Sequence, residues 1–539
     1  MAQRVSVMAG ASGIGSESAG IRGKCGRSLR LLAPTSHARS AHPAQCVEQR
    51  QSTTAHPRVR GLKRARTFSL DIADERDDRR LYRANEIPWH HSPIATKATQ
   101  THSAQRTEFI MTTTTHPPSS EASAFADLDA LLPDLEELYK DIHAHPELSM
   151  QETRTAGIAA QRLRDAGYDV TTGVGKTGVV GLLRNGDGPV VMLRADMDAL
   201  PIKEATDLPY ASDVTATDAE GITVPVMHAC GHDMHTTWLA GAAKILAQRR
   251  ETWQGTVMTV FQPGEEIAAG AQAMIDDGLF ERFPKPSVVL GQHVMVGTAG
   301  TVGGRTGVVT SAADSFEIRL FGRGAHGSMP QASIDPVIMA AATVLRLQTI
   351  VSRELAPTDA AVVTVGSLQA GTKENVIPDE AVIKVNVRTF DEGVRKRVLA
   401  AIERIVNAEA AASGAPKAPE ITPLDRYALV TNDADASRRV VDAFRDHFSA
   451  TRVHETGPTS ASEDFGSFGA QWHVPSVFWF VGGTDPDLYA KAKAAGKVNE
   501  IPSNHNPRFA PVIHPALRTG VEALVVAARA WLSTSERAA

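Results

Sequence analysis

The 539-residue sequence predicts an α/β fold: a catalytic domain with a mixed sheet flanked by helices, and an inserted ferredoxin-like α+β domain. Two observations carry this. Apolar β-branched runs alternate with amphipathic helices at both ends of the chain's ordered part. Between them, a segment keeps the order β-α-β-β-α-β.

Order begins near Phe125. Leu128, Leu131, Leu132, Leu135, Leu138 and Ile142 recur at helical spacing, so one face of this helix must pack on a core. The runs VVGLLRN and PVVMLRADMDAL follow as strands, then a helix from Met234 to Arg249 and the strand GTVMTVFQPGEE. A helix from Ala269 to Asp277 leads to the strand SVVLGQHV. Near-continuous apolar strands of this kind belong to a sheet covered on both faces. From about Ser311 the order is SFEIRLFG, a helix from Pro336 to Leu355, AVVTVGSLQ, AVIKVNVRTF, a helix from Val394 to Ala412, and PEITPLD. The first pattern resumes with a helix from Ala434 to Phe448, the strand VPSVFWFVGG, and a helix from Leu517 to Leu532. The expected division is an N-terminal extension over 1–120, a catalytic domain over 121–308 and 428–539, and the insert over 309–427.

Residues 1–120 have no sustained apolar period and are rich in Ser, Thr, Arg, His and Ala. They read as disordered or outside the working protein, with Met111 a natural start. An Arg-rich, acid-poor opening also fits a transit peptide. The whole chain carries 56 Lys+Arg and 61 Asp+Glu. Residues 1–110 hold 18 and 9 of these, leaving 38 and 52 for the acidic remainder, which argues against a nucleic-acid partner. No run of eighteen apolar residues occurs, so no membrane span is expected. Three scattered cysteines, Cys25, Cys46 and Cys230, cannot build a disulfide framework, and a reducing cytoplasm fits best.

Chemistry concentrates at strand ends. HACGHDMH, His228 to His235, crowds imidazoles, a thiol and a carboxylate where a loop enters a helix, and these are ligands for zinc and its transition-series neighbours. FQPGEE sets Glu265 and Glu266 side by side, so that one can bind metal while the other moves a proton. RADMDALP offers Asp196 and Asp198, either of which can take the second N–H of a metal-bound histidine. LGQHV brings His293, and NHNPRF brings His505. Five candidate ligands, Cys230, His232, Glu266, His293 and His505, exceed the need of one tetrahedral catalytic zinc and imply two divalent ions. Zinc, manganese, cobalt and nickel all suit such a set. Glu265 is the candidate base. In the insert, His326 in FGRGAHGSMP is a candidate donor to an oxyanion. Asn375 and Arg388 are candidates to grip a substrate carboxylate, Arg388 through its forked donors.

In order, RADMDALP, MHACGHDMHTT, FQPGEE, GQHV, GRGAHGSMPQASIDP, ENVIPDE, VRTF and SNHNPRF resemble the hippurate hydrolase and auxin-conjugate amidohydrolase branch of the aminoacylase/carboxypeptidase metallopeptidases. The resemblance runs from about Ala124 to Leu532. It implies a two-metal catalytic domain and a smaller inserted domain that is lid and homodimer interface. It also implies Cys230, His232, Glu266, His293 and His505 as metal ligands, Glu265 as general base, Asp198 as the acid behind a ligand, and His326 as a lid histidine reaching the substrate. The sequence departs from the branch at Gly264, Gln292 and Asn506. Gln292, beside His293, is expected to alter the acyl pocket. The expected activity is hydrolysis of N-acyl amino acids or related small amides. The alternatives are a dipeptidase or short-peptide carboxypeptidase, and a non-catalytic metal-binding relative.

Overall fold

The computed structural model describes Phe125 and residues 127–532. The expectations for residues 1–120, with Cys25 and Cys46, lie outside the described residues. The first elements are helix α1 (Leu128–Ala144) and helix α2 (Thr153–Asp165). Strands β1 (Asp169–Val174), β2 (Gly178–Asn185) and β3 (Val190–Asp196) follow. Helix α3 (His232–Gln248) precedes β4 (Gly255–Gln262), β5 (Val288–Thr298) and β6 (Val302–Gly304).

These strands, with β11 (Val453–Glu455) and β12 (Ser476–Thr484), form an eight-stranded sheet in the order β1-β2-β4-β3-β5-β12-β6-β11. Its centre, β4-β3-β5-β12, is parallel, while β1, β2 and β4 pair antiparallel. Six of the seven residues of β3 are buried, as a strand covered on both faces requires. One face packs on α1, α3 and α7 (Ile513–Leu532), with Leu135, Trp238, Leu239, Val521 and Leu524 in the shared core. The other face packs around Met258, Phe465, Phe468 and Phe478. Parallel strands pointing one way carry their C-terminal ends to one edge, and the candidate residues gather there.

A second sheet is four-stranded and antiparallel throughout: β7 (Ala312–Phe321), β8 (Ala361–Ala370), β9 (Glu380–Thr389) and β10 (Glu420–Tyr427), in the order β8-β9-β7-β10. Helices α4 (Pro336–Thr349) and α5 (Glu392–Ala412) share its core through Met339, Leu347, Val398 and Ile402. The helix expected to reach Leu355 stops as an α-helix at Thr349 and ends in a π-helical turn, Ile350–Glu354. Two short antiparallel strands, Gly307–Thr310 and Val430–Asn432, lead into and out of this unit side by side. Helix α6 (Ala434–Phe448) then returns the chain to the large sheet.

Candidate active site

Two glycines shape the backbone. Gly231, between Cys230 and His232, has φ +89°, and a Cβ there would stand 2.4 Å from Val294 Cγ1. Only glycine can make this turn into α3. Gly264 ends the strand-to-turn passage with φ +56°, and its amide donates to Glu152 Oε1 at 2.8 Å. Glu265 and Glu266 open the 3₁₀ turn that follows.

The side chains meet in one cleft. Cys230 Sγ lies 3.4 Å from His293 Nε2, and His505 Nε2 lies 3.3 Å from Glu266 Oε2. His232 Nε2 is 3.9 Å from both Glu265 Oε2 and Glu266 Oε1. The donor atoms of Cys230, His232 and His293, of Cys230, Glu266 and His505, and of His232, Glu265 and Glu266 form three groups, each within 4.8 Å. Two imidazoles are oriented from behind. His232 donates from Nδ1 to Asp198 Oδ1 at 3.2 Å, and His293 donates from Nδ1 to the Val294 carbonyl at 2.8 Å. Each ring therefore turns Nε2 into the cleft, that of His232 unpartnered among the described residues and that of His293 facing the Cys230 thiol. Asp198 is itself fixed by the Ser149 hydroxyl at 2.7 Å and the Glu266 amide at 3.0 Å.

The same motif holds two histidines with other tasks. His235 donates to Asp196 Oδ1 at 2.6 Å and accepts from the Val294 amide at 2.8 Å, so both nitrogens are spent on tying α3 to β3 and β5. His228 is buried with neither ring nitrogen partnered among the described residues, and burial pushes its pKa down to about 4.

A cavity of about 420 Å³ opens over the cluster. Cys230, Glu265, Glu266, His293 and His505 share its wall with Arg388, Tyr427, Ser460, Ser462, Glu463 and others. Arg388 Nη1 donates to the Ser460 carbonyl at 2.6 Å and Ser462 Oγ at 3.0 Å, and the Tyr427 hydroxyl donates to the Glu265 carbonyl at 3.1 Å. These three bonds join the small sheet to the surroundings of Glu265. Thr310 contributes a buried hydroxyl without a partner among the described residues. None of Tyr427, Thr310, Ser460 and Ser462 belongs to a motif that marks it in sequence.

His326 and Asn375 lie elsewhere. They neighbour one another where the short strand Ala325–His326 pairs with Val376–Ile377, and Gly327 donates to the Asn375 carbonyl at 2.8 Å. Both are exposed, and neither lines the cavity.

The expectation that Gln292 alters the acyl pocket is corrected. Its amide accepts from the Trp479 indole at 2.9 Å and donates to the Gly520 carbonyl at 2.9 Å, on the face of β5 opposite His293. Successive strand residues point to opposite faces, so Gln292 is part of the core under α7.

The cleft is strongly acidic. Burial, then the charges of Glu463, Glu266 and Asp464, push the Glu265 carboxyl well above its ordinary range. Behind it, buried Arg194 donates to Gln262 at 2.8 Å, Asp196 at 2.6 Å, Glu463 at 2.7 Å and Asp464 at 3.0 Å. One cation thus answers three carboxylates. The remaining acids and His232 Nε2 and Glu266 Oε1, unpartnered among the described residues, fit a pair of divalent ions, which would satisfy them.

Further back, His143 donates to Asp233 at 2.6 Å and Glu204 at 3.0 Å. Burial opposes its charge, but these two carboxylates carry its pKa up to about 9 from 6.5. A raised folded-state pKa stabilises fully below pH 6.5 and is lost as pH rises through about 9. The term is on the order of 3 kcal/mol at its fullest. Urea midpoints at pH 6.5 and 9.5 are expected to fall less for His143→Asn than for the parent. Equal falls would remove His143 from this role.

A cleft whose thiol, imidazoles and carboxylates fit metal ions, at the C-terminal edge of the parallel strands, points to the class, an α/β metalloenzyme. The model of Peptidase family M20/M25/M40 matches residues 192–527, and the chain belongs to that family. It is a metal-dependent hydrolase acting on amides. The hippurate hydrolase of Campylobacter jejuni is 39% identical over 337 residues, covering 62% of this chain and 85% of the relative. The N-acetyl-L-cysteine deacetylase of Bacillus subtilis is 37% identical over 373 residues, covering 68% and 84%. The solved YXEP protein of Bacillus subtilis, described as a dinuclear metal binding peptidase, has a TM-score of 0.59 and 31% identity, covering 74% of this chain and 98% of that one. Among the described residues no helix is long and apolar enough to cross a membrane.

Proposed function

We propose that this chain hydrolyses the amide bond of N-acyl amino acids or related small amides. The observation that supports the reading is the pair of imidazole nitrogens, His232 Nε2 and His293 Nε2, turned toward one thiol and adjacent carboxylates at a cavity that also holds Arg388. Two relatives are named for hydrolysing hippurate and deacetylating N-acetyl-L-cysteine, and both substrates are amides of an amino-acid nitrogen.

In this reading Cys230, His232, Glu266, His293 and His505 hold two divalent ions, with zinc, manganese, cobalt and nickel all compatible with the donors. Bound there, the ions supply Lewis acidity to the scissile carbonyl and acidify water. Glu265 takes a proton from the attacking water and delivers it to the leaving amine nitrogen as the C–N bond breaks. Asp198 keeps the His232 ring in the ligating tautomer. Arg388 binds the substrate carboxylate through donors of its fork that the Ser460–Ser462 segment does not use. His326 and Asn375 reach the substrate by movement of the small sheet toward the cleft, with His326 donating to the oxyanion.

We further assign residues 121–308 and 428–539 to the catalytic domain, and 309–427 to a ferredoxin-like lid through which the chain forms a homodimer. Supporting the dimer, edge strand β8 exposes Val362 and Leu368, and α4 exposes Val337, Ile338 and Leu345. A thiolate ligand suits the reducing cytoplasm. The test is turnover of N-acetyl, N-benzoyl and dipeptide substrates by protein loaded in turn with each of the four metals. N-acyl amino acids are expected to be cut; cleavage of dipeptides alone would replace this reading with a peptidase.

A further inference from the structure

The proposed ligands come from separate stretches of chain, and His505 is the one with least around it. Its side chain is 54% exposed, whereas those of His232 and Glu266 are 0% and 6% exposed. His505 also has φ +69°, a left-handed backbone that a residue other than glycine keeps only where its surroundings impose it. Packing around the ring does little to place this histidine, so the backbone of its loop must. The His505 amide donates to the Ala229 carbonyl at 2.8 Å, and Phe509 buries the far end of the loop. On the near side stands Asn504, which also lines the cavity.

Asn504 Nδ2 donates to the Cys230 carbonyl at 3.0 Å and to the Val294 carbonyl at 3.1 Å, and the Cys230 thiol lies 3.9 Å from the same nitrogen. The Val294 carbonyl is the one that accepts from His293 Nδ1 at 2.8 Å. One side-chain amide thus spends both its N–H groups on carbonyls that govern ligands. Cys230 is held through its own carbonyl, His293 through the carbonyl that orients its ring, and His505 as the next residue in the chain. The donor groups Cys230–His232–His293 and Cys230–Glu266–His505 share the thiol, so this amide bears on both. Leucine has the shape of asparagine without its donors, and an aspartate has only acceptors to offer two carbonyls.

We infer that Asn504 is a positioning residue that clasps Cys230, His293 and His505 into one ligand set. The inference rests on the ligand assignment proposed above. It is tested by titrating metal-free parent and Asn504→Leu with manganese against a chelating dye. Loss of a partner that orients ligands is expected to raise the dissociation constants about 10–100-fold. A second readout reports on the thiol itself: at saturating cobalt(II), the near-ultraviolet charge-transfer band from thiolate to metal is expected to shift or weaken in the variant. A role confined to stability would lower the urea midpoint of the metal-free protein and leave both readouts alone. Should Asn504→Leu fail to fold, Asn504→Ala removes the same donors without adding a branched side chain, and is expected to change both readouts in the same direction. Parent-like dissociation constants, or a parent-like band, in the folded variant overturn the clasp alone. A parent protein that binds neither manganese nor cobalt overturns the ligand assignment beneath it.

Discussion

Glu265→Gln is expected to lower kcat by about 10²–10⁴-fold while leaving two metal ions per chain, measured by elemental analysis of the purified protein. Glutamine keeps the shape and removes the proton-accepting oxygen. In the proposed function Glu265 is the base and not a ligand, so metal content separates loss of a base from loss of the site. A second readout comes from its surroundings. Burial and the nearby charges of Glu463 and Glu266 oppose a charge on Glu265, so the metal-free variant is expected to be at least as stable as the metal-free parent. Retained turnover would take Glu265 out of the mechanism.

Arg194→Leu is expected to cost about 3–5 kcal/mol of stability, read as a large drop in the urea midpoint, or to prevent folding. The guanidinium is buried and answers Asp196, Glu463 and Asp464 at 2.6–3.0 Å. Removing it leaves Asp196 and Glu463 buried without their guanidinium partner, while Asp464, whose carboxyl burial already pushes up to about 8, is driven further toward its neutral form. Arg194→Lys restores the charge but not the fork that reaches Asp196, Glu463 and Gln262 together, so it should recover only part of the loss. A midpoint within 1 kcal/mol of the parent for Arg194→Leu would show that these acids do not depend on it, since buried charge pairs are otherwise worth several times that.

Much of the large sheet was legible because its strands are buried on both faces and show as unbroken apolar runs, from Val190–Asp196 to Ser476–Thr484. The missed strands are short or sit at edges: Asp169–Val174 shows one buried residue in six, and Val453–Glu455 has none; helix α2 was missed because its buried face, Thr155, Ala156, Ala159, Ala160 and Leu163, is mostly alanine. Such strands leave little hydrophobic pattern to read. In the cleft, Cys230, His232, Glu265, Glu266, His293 and His505 could be named because strand ends and a helix start concentrate their residue types. Dividing labour within HACGHDMH was not possible from sequence. His232 and His235 lie one helical turn apart, and only the partners Asp198 and Asp196 distinguish a free Nε2 from one bound to an amide. Gln292 was misjudged by treating a neighbour in sequence as a neighbour in space; strand alternation already sends it away from His293. Tyr427 and Ser460–Ser462 join the cleft through tertiary contacts that no local pattern encodes.

Cys230, His232, Glu266, His293 and His505 are proposed to hold a pair of ions. Crystals of the manganese-loaded protein, measured at the manganese absorption edge, test it directly. Two adjacent anomalous peaks among these five side chains are predicted. Peaks elsewhere, or a single peak with the Cys230 thiol turned away from both His293 and His505, would contradict the account.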